Sequence, residues 1–180
     1  MTVDGCALFD TAVGRCGIAW AGGRIAAVQL PERDDATTLA RLRRRAPAPE
    51  QPPPSPIQDV IDRVVALLDG EPVDLSGVEL ADDELSDADR RVYAVARRIP
   101  PGETLTYGTV AARSGTAGDA RTVGQAMARN PFPIIVPCHR VVAADGALGG
   151  FSADGGTESK RRMLVIEGAA VAPPTLFDAL

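Results

Sequence analysis

The chain has 180 residues, a formal net charge of −5 and a hydrophobic content of 45%. This length suits one domain or a small pair with a real core, and the hydrophobic content argues against a disordered chain. No apolar run approaches the roughly 18 residues of a membrane span, and residues 1–5 lack the basic start and apolar stretch of a signal peptide. We therefore expect a cytoplasmic protein with no membrane partner.

The acidic charge is concentrated in the first half of the chain. Residues 1–85 hold 8 arginines against 15 acidic residues, whereas residues 86–180 hold 11 basic and 9 acidic residues. The second half is therefore weakly basic, which permits contact with nucleic acid without requiring it. The net charge of the whole chain, by contrast, argues against a nucleic-acid binder.

Three cysteines and a single histidine limit the possible metal and disulfide chemistry. The cysteines are Cys6, Cys16 and Cys138, and an odd number without an export signal argues against a disulfide framework. Cys6 and Cys16 have no histidine near them in the sequence, which makes a poor zinc site, so no metal is predicted. These two cysteines are interpreted as small buried hydrophobes.

The first part of the chain, residues 1–85, predicts a small α/β unit. Apolar segments separated by glycines indicate strands up to residue 30, and the glycine pair at 22–23 is typical of a hairpin turn. Helices are predicted over 35–46 and 57–68 from composition and apolar spacing. The proline-rich stretch 47–56 predicts an irregular loop between them.

The next segment predicts three short helices. Ser86 and Thr106 are placed to cap helices that begin at the following residues, and a third helix is predicted over 118–129. The last two helices flank the glycine-containing turn 114–116, an arrangement typical of a helix-turn-helix.

Beyond these helices the pattern changes again. A buried strand is predicted over 134–136, and a strand leading into a turn over 141–146. Residues 149–152 are interpreted as a mobile wing or loop, and a final helix is predicted over 158–167.

The run Pro137-Cys138-His139-Arg140 carries the strongest chemical signal. A thiol attacks as its thiolate and is mostly protonated near neutral pH, so it needs a base or a positive environment. His139 is adjacent, but neighbours in an extended chain point in opposite directions, which favours a bridging water over a direct bond. Glu167, in the last predicted helix, is the candidate that orients the imidazole, the alternative being an exposed residue at the helix end. A buried, inert cysteine is the alternative for Cys138.

Five segments of the second half form one pattern: Tyr107, 121–127, Asn130-Pro131, 134–142 and 149–152. The pattern resembles the O6-alkylguanine-DNA alkyltransferases, also called methylated-DNA–protein-cysteine methyltransferases. The resemblance is nearly gapless from about 88 to 168 and is much weaker over 1–85.

The resemblance implies an α/β (α+β) fold in two parts. Residues 1–85 would form a ribonuclease-H-like α/β lobe that serves as a scaffold. Residues 86–170 would form a mainly helical, winged helix-turn-helix domain that binds DNA and carries the active site. We interpret residues 171–180 as a flexible tail and expect a monomer.

The reaction that the resemblance implies is direct repair of double-stranded DNA that contains O6-alkylguanine. The damaged guanine is flipped out of the duplex, and the thiolate of Cys138 displaces guanine from the alkyl group on its O6 oxygen. The protein ends as S-alkyl-cysteine, so this transferase acts once. No cofactor is expected, because the alkyl donor is the DNA itself.

Several residues are predicted to surround the flipped base. Tyr107 is suited to donate a proton to the departing guanine, packing on the core being the alternative. Phe151 offers a stacking face, Ser152 a bond to the O6 atom, and the backbone at Val141 an acceptor for the guanine amino group. Asn130 is predicted to tie together backbone groups around the nucleophile, the alternative being an ordinary loop residue.

The helix predicted over 118–129 is expected to enter the minor groove, because its surface consists of small residues. Arg121 resembles the family's arginine finger, which fills the gap left by the flipped base. The alternative is an arginine that is solvated or bound to a phosphate. Asp119 places an acid near the path of the DNA phosphates, which is expected to weaken binding. Further DNA contacts are expected from five residues: Thr122, Gly124, Gln125, Arg113 and Arg129. The two arginines among them are expected to contact phosphates.

Two rival functions are weighed against alkyl transfer. A binding-only relative would sense damage and recruit other repair proteins, but such alkyltransferase-like proteins lack the cysteine that stands here at position 138. A Cys-His hydrolase would need an oxyanion hole and a substrate cleft, and nothing in the sequence resembles either.

Overall fold

The computed structural model describes residues 2–116, 119–150 and 155–171, and within them the fold is mixed α/β. The predicted fold class is therefore confirmed at this level, while the ribonuclease-H-like and winged descriptions stay predictions. In chain order the elements are β1 Gly5–Thr11, β2 Gly14–Ala21, β3 Arg24–Gln29, α1 Asp35–Arg45, α2 Ser55–Leu68, α3 Asp87–Ala96, β4 Leu105–Thr106, α4 Tyr107–Ser114, α5 Ala120–Arg129, β5 Val141–Val142 and α6 Gly156–Ile166.

Strands β1, β2 and β3 form an antiparallel sheet in sequence order. The predicted hairpin is confirmed: Gly22 and Gly23 occupy its turn with φ of +57° and +77°, a conformation that favours glycine. Successive residues point to opposite faces. One face carries small side chains that pack with Leu42 of α1, whereas the other carries larger ones, such as Ile18 and Trp20, that pack with α2.

The helix boundaries follow from caps and prolines. Asp34 caps α1 by accepting a hydrogen bond from the Thr37 backbone N–H at 2.7 Å. Helix α2 begins at Ser55, so the predicted irregular loop was two residues too long. Pro56 lies in the first turn of α2, where its missing N–H costs no helical bond, and this explains why a proline-rich stretch ends inside a helix.

The three helices of the second half pack on one another. Ser86 caps α3 and Thr106 caps α4, in agreement with the prediction. Helix α5 begins at Ala120, two residues later than predicted, because Asp119 serves as its cap. Fully buried side chains from each helix meet in the shared core: Val92, Val110 and Val123. Strand β4 pairs in parallel with β5.

The strand predicted over 134–136 is wrong. Ile134 has φ of +75°, and Val136 N–H donates to the Phe132 carbonyl at 2.8 Å, so the chain turns here instead of extending. All three residues are buried, as their apolar side chains indicate. A run of three apolar residues is too short to predict an extended backbone. Pro133 also has no N–H to give to a sheet.

The extended chain expected at Cys138 and His139 is also wrong, because residues Cys138–Arg140 form a single 3₁₀ turn. Helix α6 begins at Gly156, two residues before the predicted start, and Glu167 is its C-terminal cap residue. Phe151, Ser152 and residues 172–180 of the predicted tail lie outside the described residues. In the part of the chain that the structure describes, no helix combines the length and apolar character of a membrane span.

Candidate active site

Cys138 lines a cavity of about 590 Å³ between the helices of the second half and the loop before residue 151. The volume falls within the range of small-molecule sites. The side chain of Cys138 is buried, with 7% of the residue exposed, so the cavity is the place from which a ligand can meet its sulfur. The other lining residues come from α4, α5 and the loop: Tyr107, Ala120, Arg121, Gly124, Met127, Ala128, Gly149 and Gly150.

The environment of the Cys138 sulfur contains opposing influences. Burial raises the pKa of the thiol above its ordinary value. A side-chain hydrogen bond from Asn130 and the positive charge of Lys160 lower that pKa, but they do not overcome burial. The resting group is therefore a thiol, and its activation requires a base.

Asn130 follows α5 and lies buried beside the 3₁₀ turn. Its Nδ2 donates to the Val136 carbonyl at 2.9 Å, and its Oδ1 accepts from the Phe132 backbone N–H at 2.9 Å. Both groups of the amide are thus bonded to the tight turn that leads to Cys138. The structure brings Asn130 into the site and joins it to the backbone of this turn.

His139, Arg140 and Glu167 form a buried cluster behind Cys138. The Nε2 of His139 lies 2.8 Å from Oε1 of Glu167. The Nε of Arg140 donates to Oε2 of the same carboxylate at 2.8 Å, and its Nη2 donates to Oε1 at 2.8 Å. Its Nη1 donates to the Ile99 carbonyl at 2.6 Å. Glu167 thereby joins α6 to the 3₁₀ turn that carries Cys138. Its side chain is buried, so the alternative of an exposed residue at the helix end is wrong.

The protonation of this cluster follows from its contacts. Burial raises the pKa of Glu167, but the bonds from His139 and Arg140 outweigh burial and bring it to about 2. An ionised carboxylate only accepts hydrogen bonds, so Nε2 of His139 carries the proton. Burial lowers the pKa of His139 despite the bond to Glu167, so the ring is neutral near pH 7.

The other ring nitrogen of His139 is available for chemistry. In the neutral tautomer fixed by Glu167, Nδ1 holds a lone pair and acts as an acceptor. This atom is buried and has no hydrogen-bond partner among the described residues. A buried, unpaired acceptor next to the nucleophile is what a general base requires.

Lys160 is a component of the site that sequence reasoning missed. The residue is fully buried, and its Nζ donates to the carbonyls of Val141, at 2.6 Å, and of Leu148. The same nitrogen lies 5.8 Å from the centroid of the Tyr107 ring. Burial lowers the pKa of Lys160 to about 8. Its seven-residue distance from Glu167 places both on one helix face, and this was the signal that could have found it.

Tyr107 begins α4 and lines the cavity. Gly149 has φ of +67°, and a Cβ added there would lie 3.3 Å from the Tyr107 hydroxyl, so the loop passes close to the phenol. Burial raises the pKa of Tyr107, which keeps the phenol protonated and able to donate. The buried Val141 does not line the cavity, and its carbonyl already accepts from Lys160.

The predicted DNA contacts on α5 differ in their surroundings. Arg121 and Gln125 are exposed, and Arg121 lies at the cavity with Gly124. A Cβ added at Gly124 would meet no described atom within 4 Å, so this stretch of helix is open to close approach. The hydroxyl of Thr122 is less available for DNA contact, because its Oγ1 already donates to the Asp119 carboxylate at 2.9 Å.

The two arginines expected to bind phosphate are in different situations. Arg113 is exposed in the last turn of α4. Arg129 is exposed as well, but its Nη2 donates to the Asp89 carboxylate at 2.7 Å and so links α5 to α3. The ion pair could not be predicted from local sequence, because the two residues are 40 positions apart. Within the described ranges, no group of three or more His, Cys, Asp or Glu side chains is arranged to hold a metal ion.

The sequence of the second half is similar to that of known proteins. Residues 87–169 match the family model described as the 6-O-methylguanine DNA methyltransferase DNA-binding domain. A methylated-DNA–protein-cysteine methyltransferase of Methanothermobacter thermautotrophicus is 42% identical over 119 residues, which cover 66% of this chain and 65% of that protein. The protein of the same name from Mycobacterium bovis is 42% identical over 128 residues, covering 71% and 75%.

Solved structures agree with this result over nearly the whole chain. The Mycobacterium tuberculosis OGT in complex with DNA is similar with a TM-score of 0.74 and 33% identity, covering 91% of this chain and 92% of that one. The O6-methylguanine-DNA methyltransferase of Pyrococcus kodakaraensis gives a TM-score of 0.68 and 28% identity, covering 91% and 99%. Together with the cysteine site, these similarities show that the chain belongs to the methylated-DNA–protein-cysteine methyltransferase family.

Proposed function

We propose that this protein repairs DNA directly, by moving an alkyl group irreversibly from the O6 atom of guanine to Cys138. One observation carries the proposal: the Cys138 sulfur faces a cavity of a size suited to a base, beside a neutral histidine oriented by a buried glutamate. Double-stranded DNA containing O6-alkylguanine is the partner, and the reaction balances without a cofactor.

Activation begins with the proton of the Cys138 thiol. The lone pair on Nδ1 of His139 accepts it through one water, because Nδ1 makes no direct bond to the sulfur, and the imidazolium that forms is stabilised by the Glu167 carboxylate. Asn130 and Lys160 stabilise the thiolate, the first by a hydrogen bond and the second by its charge. Arg140 holds the carboxylate from its other side.

The transfer itself is a nucleophilic displacement. A bond forms between Sγ of Cys138 and the alkyl carbon, while the bond between that carbon and O6 breaks and its electron pair stays on guanine. Tyr107, whose phenol is protonated, supplies a proton to the departing base, and the proton that His139 took from Cys138 returns to the phenolate through solvent. The thioether that results has no leaving group for water to displace under these conditions, so each molecule acts once.

Helix α5 presents the damaged base to this site. Its exposed face is built of small residues such as Gly124 and Ala128, which allow the helix to lie in the minor groove. Arg121, at the edge of the cavity, fills the space left by the flipped base and offsets part of the cost of flipping. Gln125 and Arg113 contact the DNA backbone around it.

The division of labour along the chain belongs to the same proposal. Residues 86–170 carry the DNA-binding and chemical groups, residues 1–85 act as the scaffold, and the protein works as a monomer in the cytoplasm. The roles that the resemblance implies for Phe151 and Ser152, stacking on the base and a bond to O6, belong to the same proposal.

The test is stoichiometric transfer from a duplex that carries a labelled methyl group on O6 of one guanine. We expect the label on the protein to reach one per molecule and stop, and Cys138→Ala to take up none while still binding the duplex. Tight binding without label transfer would support a damage sensor instead. Repeated turnover of an ester by a protein inert to this duplex would support a hydrolase, and loss of DNA binding in Cys138→Ala would make the cysteine structural.

A further inference from the structure

One contact joins the scaffold part of the chain directly to a residue of the active site. Nη1 of Arg45, the last residue of α1, donates to the backbone carbonyl of Asn130 at 2.8 Å. The two residues are 85 positions apart. The adjacent Pro131 carbonyl accepts from the Val28 backbone N–H of β3 at 2.8 Å. The start of the active-site turn is thus held from residues 1–85 at two successive carbonyls.

The residue held in this way organises the turn that leads to the nucleophile. The side chain of Asn130 donates to the Val136 carbonyl and accepts from the Phe132 backbone N–H, and the Cys138 backbone N–H donates to the same Val136 carbonyl at 2.8 Å. The Asn130 amide also lowers the pKa of the Cys138 thiol. An amide with this many fixed partners is sensitive to small shifts of its own backbone, because hydrogen bonds weaken steeply with angle. The carbonyl that Arg45 holds is part of that backbone.

We propose that Arg45 is a positioning residue for Cys138: it fixes the backbone of Asn130, whose side chain holds the Val136 carbonyl that also anchors the Cys138 backbone. The reactivity of the nucleophile then depends on a helix outside the domain that carries the chemistry. The role of Arg45 in repair rests on the proposed function. Its effect on the reactivity of the Cys138 thiol can be measured without DNA.

A neighbouring arginine provides the matched control. The Nε of Arg43 donates to the Ala48 carbonyl at 3.1 Å, a contact that stays within residues 1–85. Arg43→Ala therefore removes the same charge and the same kind of hydrogen bond from the same helix turn, without touching Asn130. Both substitutions leave in place the ionisable groups around Cys138: Tyr93, Tyr107, His139 and Lys160. The charge of Arg45 also lowers the pKa of Tyr93.

The experiment measures the rate of Cys138 alkylation by iodoacetamide across pH, together with the melting temperature, for the original protein, Arg45→Ala and Arg43→Ala. Carboxamidomethylation is read on the peptide that carries Cys138. We expect Arg45→Ala to raise the midpoint of the pH profile and to slow alkylation about threefold to tenfold near pH 7, because the Asn130 amide, which lowers the pKa of the thiol, loses its fixed position. Arg43→Ala should leave the midpoint unchanged.

Equal midpoints in the two variants would overturn the proposal, whatever their melting temperatures. Should Arg45→Ala fail to fold, Arg45→Met, whose side chain cannot donate a hydrogen bond, replaces it and is judged by the same midpoint. Because iodoacetamide needs no alkylguanine, the two proposals fail separately. An unchanged midpoint with intact methyl transfer rejects only the role of Arg45, whereas a raised midpoint in a protein that never accepts methyl from DNA rejects only the repair function.

Discussion

The cluster behind Cys138 and the exposed face of α5 are built on opposite principles. Behind the nucleophile, the side chains of His139, Arg140 and Glu167 are buried, and the first two are hydrogen-bonded to the Glu167 carboxylate. On α5, Arg121 and Gln125 project from a face of small residues into solvent. The chemistry thus depends on fixed geometry in a low dielectric, whereas DNA contact depends on close approach and on a few screened charges. Substitutions in the two regions should therefore differ in size and in kind.

The largest effect is expected from Glu167→Gln. The substitution removes the charge that Arg140 and His139 share, and it leaves a buried guanidinium without its carboxylate. We expect unfolding in urea to show a loss of about 3 kcal/mol or more, and methyl transfer to fall with it. Glu158→Gln, at an exposed α6 carboxylate paired with Arg161 at 3.7 Å, is the control and should stay within about 0.5 kcal/mol. Equal losses in both variants would contradict the buried cluster.

The same carboxylate predicts a stability change in acid. The folded-state pKa of Glu167 is about 2 and its ordinary value is 4.5. A depressed folded pKa contributes stability that is complete above the ordinary value and is lost as pH falls towards the folded value. The difference in unfolding free energy between the original protein and Glu167→Gln should therefore shrink as pH is lowered from 4.5 towards 2. A difference that stays constant over this range would mean that Glu167 is not ionised in the cluster.

An intermediate effect, limited to duplex substrates, is expected from Arg121→Ala. The substitution removes the side chain that we place in the gap of the flipped base, so transfer from duplex DNA should slow about tenfold. Reaction with free O6-benzylguanine, which needs no flipping, should be unchanged. Arg113→Ala serves as the comparison, because loss of a phosphate contact weakens damaged and undamaged duplexes alike. Equal slowing on duplex and free base would reject the role assigned to Arg121.

The smallest effect is expected from Asp119→Ser. Serine keeps the cap of α5, since its hydroxyl accepts the backbone N–H that the Asp119 carboxylate accepts now, but it removes a negative charge beside the DNA path. Duplex affinity should rise a few-fold at low salt, and the gain should fade as salt is added. Asp10→Asn, which removes an exposed charge from β1, should leave the affinity unchanged. No gain at low salt would place the phosphates away from Asp119.

The sequence was informative wherever local chemistry decides the structure. The hydroxyl groups of Ser86 and Thr106 predicted the starts of α3 and α4, because each caps free backbone N–H groups a few residues away. The glycine pair predicted the hairpin turn, because its backbone needs positive φ. The same holds for Glu167, whose place at the end of α6 was predicted, although its contacts with His139 were only a hypothesis until the fold was known.

Contacts between segments that are distant along the chain could not be predicted from the sequence. The turn at Ile134 was mistaken for a strand, because hydrophobicity reports burial and not backbone direction. Lys160 was overlooked, since lysines are mostly exposed and its burial depends on two carbonyls from another segment. The bonds of Arg129 with Asp89 and of Arg45 with Asn130 depend on tertiary packing alone.

The most direct measurement is the mass of the peptide that carries Cys138 after the protein has met a duplex with one O6-methylguanine. The account predicts that this peptide gains the mass of one methylene group, that the peptides with Cys6 and Cys16 gain nothing, and that the duplex is left with unmodified guanine. An unchanged Cys138 peptide from a protein that binds the duplex, or a gain on another cysteine, would contradict the account.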